Sequence, residues 1–302
     1  VALVRPCVIG IEVKEKLYYP KPLPANKKDA THANGSEFVD TMFYLCKMGC
    51  IYLLRPLLED LKDKNPSGGY KYTILHCAAR HGQLEIVEYL VNLNKPKALF
   101  RFWTNMKLLP KTSRDGGVWS VYSNIDDTDY LGEFEITQPT PLHYAAMNGH
   151  ISIIEFMVPH LNGDINPIDG SEGDGYTVLH TAAFFGHLPV VTFYTSRLDN
   201  PNPVCSEYYR SSTPLHAAAL GGHLEVVKHL CDLIQEKNPS DYHGCTPLHL
   251  AAYGGHIDVV KYLVQFVDNK HPKAGSEWDY RTPLDCAKQR EHTEVVNFLT
   301  NL

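Results

Sequence analysis

A four-residue word recurs along this chain at nearly constant spacing. T-I-L-H starts at Thr73, T-P-L-H at Thr140, T-V-L-H at Thr177, T-P-L-H at Thr213 and Thr246, and the variant T-P-L-D at Thr282. The successive intervals are 67, 37, 36, 33 and 36 residues. Each copy continues through a small-residue pair to Gly-His or a variant of it, then to two β-branched residues, as in T-P-L-H-A-A-A-L-G-G-H-L-E-V-V from Thr213. A fixed period of this length describes a chain built by stacking one short unit rather than by folding one globule.

The chemistry of a single copy predicts two short helices. Thr is a good N-cap, and Pro at the first helical position gives up an N–H that has no partner there. Gly149, Gly186, Gly222 and Gly255 fall where a left-handed residue stops a helix. Leu224, Val226, Val227 and Leu230 then set the apolar face of a second helix. Helices of about ten residues are not stable alone in water, and one pair cannot bury its own apolar face. Neighbouring pairs must therefore stack into a solenoid with a continuous core.

The combined pattern T-P-L-H-x-A-A-x-x-G-H-x-x-V-V-x-x-L resembles the ankyrin-repeat family. The resemblance covers roughly residues 36–94 and 136–302. It implies an all-α repeat solenoid of about seven stacked helix-turn-helix repeats with finger hairpins between them. Residues 37–61 are the expected divergent N-terminal capping repeat, with Phe43 in place of His and Leu45-Cys46 in place of the Ala pair. Residues 278–302 are the expected C-terminal capping repeat, where Asp285, Lys288 and Glu291 replace the His, an Ala and the Gly. Polar terminal repeats are what an open-ended stack needs.

Two segments fall outside the period. The 67-residue interval leaves residues 95–138 as an insertion between the second and third repeats. It is rich in aromatics, including Trp103 and Trp119, and V-W-S-V-Y has the alternation of a strand, so a hairpin is expected. Residues 1–35 form an extension: V-A-L-V-R-P-C-V-I-G-I-E-V is apolar, and Pro20, Pro22 and Pro24 mark an extended linker.

Several functional classes are set aside at this stage. Acidic residues outnumber basic ones, 34 to 28, which speaks against nucleic-acid binding through bulk charge. No apolar run reaches the length of a membrane span. The eight cysteines include no C-x-x-C, and a soluble, cytoplasmic protein without cofactor or metal is expected. Ten of the sixteen histidines sit at two fixed places of the repeat. Five are in the word itself: His76, His143, His180, His216 and His249. The resemblance implies that these bond locally to the Thr and the neighbouring backbone, not to a substrate or ion.

Family resemblance also implies a recognition surface on the concave face, shared by the fingers and the ends of the first helices. The finger positions are Tyr70, Tyr72, Tyr176, Tyr209, Arg210, Tyr242, His243, Trp278, Tyr280 and Arg281. The helix positions are Arg80, His81, Met147, Asn148, Phe184, Phe185 and Tyr253, with Trp103 and Trp119 added from the insertion. Phe184 and Phe185 stand out, because adjacent residues on a helix are not expected to face the same core. The expected function is a non-enzymatic scaffold that binds another protein. The alternative is the recognition region of a larger enzyme, ion channel or pore-forming chain.

Overall fold

The computed structural model describes residues 35–59, 61, 73–93, 139–161, 165–168, 175–205, 211–275 and 281–302. Among them the helices fall into seven pairs: α1 (Gly35–Lys47) with α2 (Ile51–Glu59), α3 (Ile74–Arg80) with α4 (84–93), and α5 (Pro141–Met147) with α6 (Ile151–Met157). These are followed by α7 (Val178–Phe184) with α8 (Leu188–Thr195), α9 (Pro214–Gly221) with α10 (Leu224–Leu233), α11 (Pro247–Tyr253) with α12 (Ile257–Leu263), and α13 (Pro283–Gln289) with α14 (Thr293–Thr300). The first helices stack on one another in sequence order, and the second helices form a parallel layer beside them. One apolar cluster runs through the stack from Met42 to Leu299. This is the all-α solenoid the period predicted. Of the expected finger hairpins, one antiparallel bridge, Ile168 with Thr177, joins two described residues. Residues 1–34 of the expected extension and the expected 95–138 hairpin lie outside those residues.

Each word performs the capping role its residues suggest. The hydroxyl of Thr140 accepts from the backbone N–H of His143, and the Thr140 N–H donates to His143 Nδ1 at 3.2 Å. The same reciprocal cap forms at Thr73, Thr177, Thr213 and Thr246. In the last pair Asp285 takes the place of His: its carboxylate accepts from the Thr282 N–H at 3.0 Å and the hydroxyl at 2.7 Å. Those two donors hold the Asp285 carboxyl below the usual carboxylate range.

The histidines do more than cap. With Nδ1 accepting, Nε2 carries the proton and donates to a carbonyl of the following repeat. His143 reaches Tyr176 at 3.0 Å, His180 reaches Ser212 at 3.1 Å and His216 reaches Cys245 at 3.2 Å. An aspartate cannot donate in this way, so it suits the final repeat, which has no successor among the described residues.

The second recurring imidazole binds in the opposite direction. His187 donates to Met147 O at 2.9 Å, His256 to Leu220 O at 2.9 Å and His292 to Tyr253 O at 2.8 Å, each in the preceding pair. The ring lies on the preceding glycine: a Cβ on Gly149 would stand 2.5 Å from His187 Nδ1. That glycine also has φ +72°, so both its backbone and its missing side chain are used. Glu291, which replaces the glycine in the last pair, keeps the left-handed turn at φ 59°.

In the second pair Gln83 does the same work as these imidazoles. Its side-chain amide donates to Lys47 O at 3.0 Å and its oxygen lies over Gly49. The period alone did not reveal this substitution.

Candidate partner-binding face

The ends of the first helices and the turns before each word are where contact residues are expected. Here the expected contact residues divide by environment. Tyr70, Tyr72, Trp103, Trp119, Tyr209, Arg210, Trp278 and Tyr280 lie outside the described residues. The other eleven can be placed.

Tyr242 is 72% exposed at the tip of a turn. Asp241 builds that turn. Its carboxylate accepts from the N–H of His243 at 3.0 Å and of Cys245 at 2.7 Å, and its backbone N–H donates to Cys245 O at 2.8 Å. Gly244 completes the turn at φ +72° and donates to Asp241 O. Tyr242 and His243 meet edge to face, with centroids 5.2 Å apart. An aromatic pair is thus held outward on a hydrogen-bonded base.

At the opposite end of the face, the Arg80 guanidinium lies 5.9 Å from the Tyr144 ring centroid. Asn148, exposed, donates to Tyr144 O at 2.9 Å. Arg80, His81 and Met147 are half-buried. Tyr144 directly follows the word and drew no attention in the sequence, yet it meets two of the expected contact residues. Arg281, also half-buried, bonds to Gln289.

Three of the expected contact residues are buried. Phe184 is 4% exposed and Tyr253 6%, and Tyr176 is buried as well. Phe184 ends α7 and Phe185 follows as its C-cap, where the chain turns, so adjacent side chains both reach the core despite the helical argument against it. Their rings pack edge to face at 5.2 Å, with Phe184 inside and Phe185 half-buried above it. Tyr253 is covered by Arg290, whose guanidinium lies 4.4 Å from its centroid and bonds to its hydroxyl. Tyr176 packs on the ring of His180 at 5.6 Å. These three support the face and offer it little area.

The charge chemistry of the imidazoles points the same way. Burial pushes His76, His143, His216 and His249 down to about 4 and His180 to about 3. They are neutral at physiological pH and engaged through both nitrogens wherever the bonds above are drawn. Among the described residues no group of three or more His, Cys, Asp or Glu side chains could hold a metal ion. Nor is any described helix long and apolar enough to cross a membrane.

Comparison with known families agrees with this architecture. A model of ankyrin repeats in three copies matches residues 119–195 and 194–274, and a model of ankyrin repeats in many copies matches residues 42–91. The first match begins inside the stretch read from the period as an insertion. No curated protein matches the chain. The two family models together span well over half of the sequence, and with the capped, stacked helical pairs they identify the chain as a member of the ankyrin-repeat family.

Proposed function

We propose that the chain is a non-enzymatic scaffold that holds a partner protein on the concave face formed by its fingers and first-helix ends. Ankyrin repeats are general protein–protein interaction modules. The observation that supports this face is Tyr242: the repeat framework does not need the ring, and a rigid turn holds it in solvent. An aromatic side chain ordered in this way offers large contact area at small entropic cost, the property that marks binding hot spots. Phe185, His81, Asn148 and Arg80 extend the same surface along the stack. The buried histidines are committed to structure, which argues against an imidazole-based reaction.

Site-specific photo-crosslinking tests the reading. A photoreactive phenylalanine at Tyr242, at Asn148 and at Glu225 of α10, which is exposed on the second-helix layer, is used in extract from the native source. The first two positions are expected to yield one common partner adduct and the third none. Adducts from Glu225 alone would place recognition on the opposite layer.

A further inference from the structure

The two ends of the stack differ in kind. Aligned on the left-handed turn residue, glycine in six pairs and Glu291 in the last, the seven pairs place Tyr44, Cys77, Tyr144, Thr181, Ala217, Leu250 and Cys286 at one repeat position. Leu53, Ile86, Ile153, Val190, Val226, Val259 and Val295 share another, the third residue of each second helix. All of these are buried except the first of each series, Tyr44 at 56% exposure and Leu53 at 61%. Cys286 (0%) and Val295 (1%) are closed although, among the described residues, their only neighbouring pair is the preceding one. Both series therefore face back toward the start of the chain. The thiol of Cys77 shows it directly, donating to Phe43 O of the preceding pair at 3.6 Å.

At the far end, the side chains that would meet a following repeat include the exposed, charged Asp285 and Lys288. That end is finished with polar groups, as expected of a cap. The near end is not. Tyr44 and Leu53 are joined there by exposed Tyr52 and Met48, so the expected N-terminal cap carries the apolar residues of an interior repeat. An apolar face of this kind on a stacked array is built to be covered.

We propose that residues 1–13 of this chain, V-A-L-V-R-P-C-V-I-G-I-E-V, pack across Tyr44 and Leu53 and close the stack. Residues 1–34 adjoin α1 and so join the stack at the end left open. Of the first thirteen only Arg5 and Glu12 are charged, and eight are Val, Leu, Ile or Ala. The next twenty-one contain Lys14, Lys16, Lys21, Lys27, Lys28 and three prolines, the composition of a connection. Fully extended, that connection spans roughly 70 Å, against roughly 20 Å for the length of α1. Covalent attachment presents the apolar segment at high effective concentration, so modest contacts suffice to seat it.

Hydrogen exchange read by mass spectrometry on the full 302-residue chain tests this, with sedimentation velocity on the same samples. In the wild type, amides of residues 3–13 are expected to exchange at least tenfold more slowly than their intrinsic rates. In Tyr44→Glu/Leu53→Glu they return to those rates while α9–α12 keep their protection, and both proteins sediment as monomers. Intrinsic-rate exchange of residues 3–13 in the wild type overturns the proposal. So does concentration-dependent association of the wild type abolished by the double substitution, which assigns the face to a second copy. If the double variant loses protection throughout, Ile9→Asp/Ile11→Asp decides. It must free residues 3–13 and raise exchange across 44–53, and unchanged exchange at 44–53 refutes the contact.

Discussion

His150 Nε2 donates to the carbonyl of Arg80 at 3.1 Å, across 70 residues of sequence. The equivalent bonds elsewhere span 36 to 40 residues. The ladder of imidazoles therefore passes from the second pair to the third without a gap, and α3 packs on α5 as the other first helices pack on their successors. The described helices on either side of residues 94–138 are thus in direct contact.

Gly82 and His150 are expected to be energetically coupled for this reason. Gly82 has φ +71°, and a Cβ there would stand 2.8 Å from His150 Cε1. Gly82→Ala combines left-handed backbone strain of about 1–2 kcal/mol with a displaced ring. His150→Ala loses the bond to Arg80 O and leaves that carbonyl poorly covered, at about 1–3 kcal/mol. In Gly82→Ala/His150→Ala the clash is gone, so the double variant should be less destabilised than the two single losses summed, by about 1 kcal/mol. Urea unfolding of the four proteins measures this, and strict additivity would mean that the ring is not seated on the glycine.

The architecture was legible in the sequence because each framework residue does a local job with its own side chain. Thr140 and His143 close a cap within three residues, and Gly149 is required by its own φ. What was not legible depends on neighbours. Gln83 replaces an imidazole because only its reach to Lys47 O matters. Phe184 and Tyr253 read as candidate contacts because their repeat positions are variable, yet a C-cap turn buries the one and the Arg290 guanidinium covers the other. The open end at Tyr44 and Leu53 was equally hidden, since those residues look ordinary for an interior repeat.

Acid should unfold the chain through its own framework. The five word histidines have folded values of about 3 to 4 against about 6.5 when unfolded. Because the folded values are depressed, their contribution is complete above pH 6.5. It falls as pH drops toward 4, where the unfolded chain binds protons that the folded chain does not. Each site contributes a slope of about 1.4 kcal/mol per pH unit in that window. Unfolding near pH 5 should therefore take up about four to five protons from these groups. Urea midpoints at pH 8, 7, 6 and 5 would be nearly level at first and then fall steeply. A flat response from pH 7 to 5 would show the imidazoles to be solvated.

The thiols should be silent in the native state. Cys46, Cys77, Cys205, Cys231, Cys245 and Cys286 are buried, and only Cys50 among the described cysteines is partly open. Burial pushes Cys231 up to about 11 and Cys286 to about 12, and the neighbouring Cys77 thiol raises Cys46 above its ordinary range. In a Cys7→Ser background, an aromatic disulfide reagent at pH 8 should label one thiol per chain rapidly and the other six only in denaturant. Fast labelling of several would mean that the repeats open locally on the timescale of the reaction.

Burial separates support from contact on the proposed face, and three alanine substitutions can show it. Phe184→Ala removes a nearly closed ring that packs into the core cluster and against Phe185, a change of about 3–5 kcal/mol by the cost of emptying a packed aromatic site. Tyr253→Ala should be of the same order and also release Arg290, whose guanidinium has its partner in that ring and hydroxyl. Tyr242→Ala, by contrast, strips an exposed ring from a turn held by Asp241 and Gly244, and stability should change by no more than about 0.5 kcal/mol. Its effect should fall on partner binding instead, with a loss of about 1–3 kcal/mol if the ring is an anchor. Unfolding curves for the three variants, followed by affinity measurement against the crosslinked partner, give both columns of the comparison. Equal losses of stability in all three would mean that the Tyr242 turn is part of the core, and the assignment of that face to recognition would fail with it.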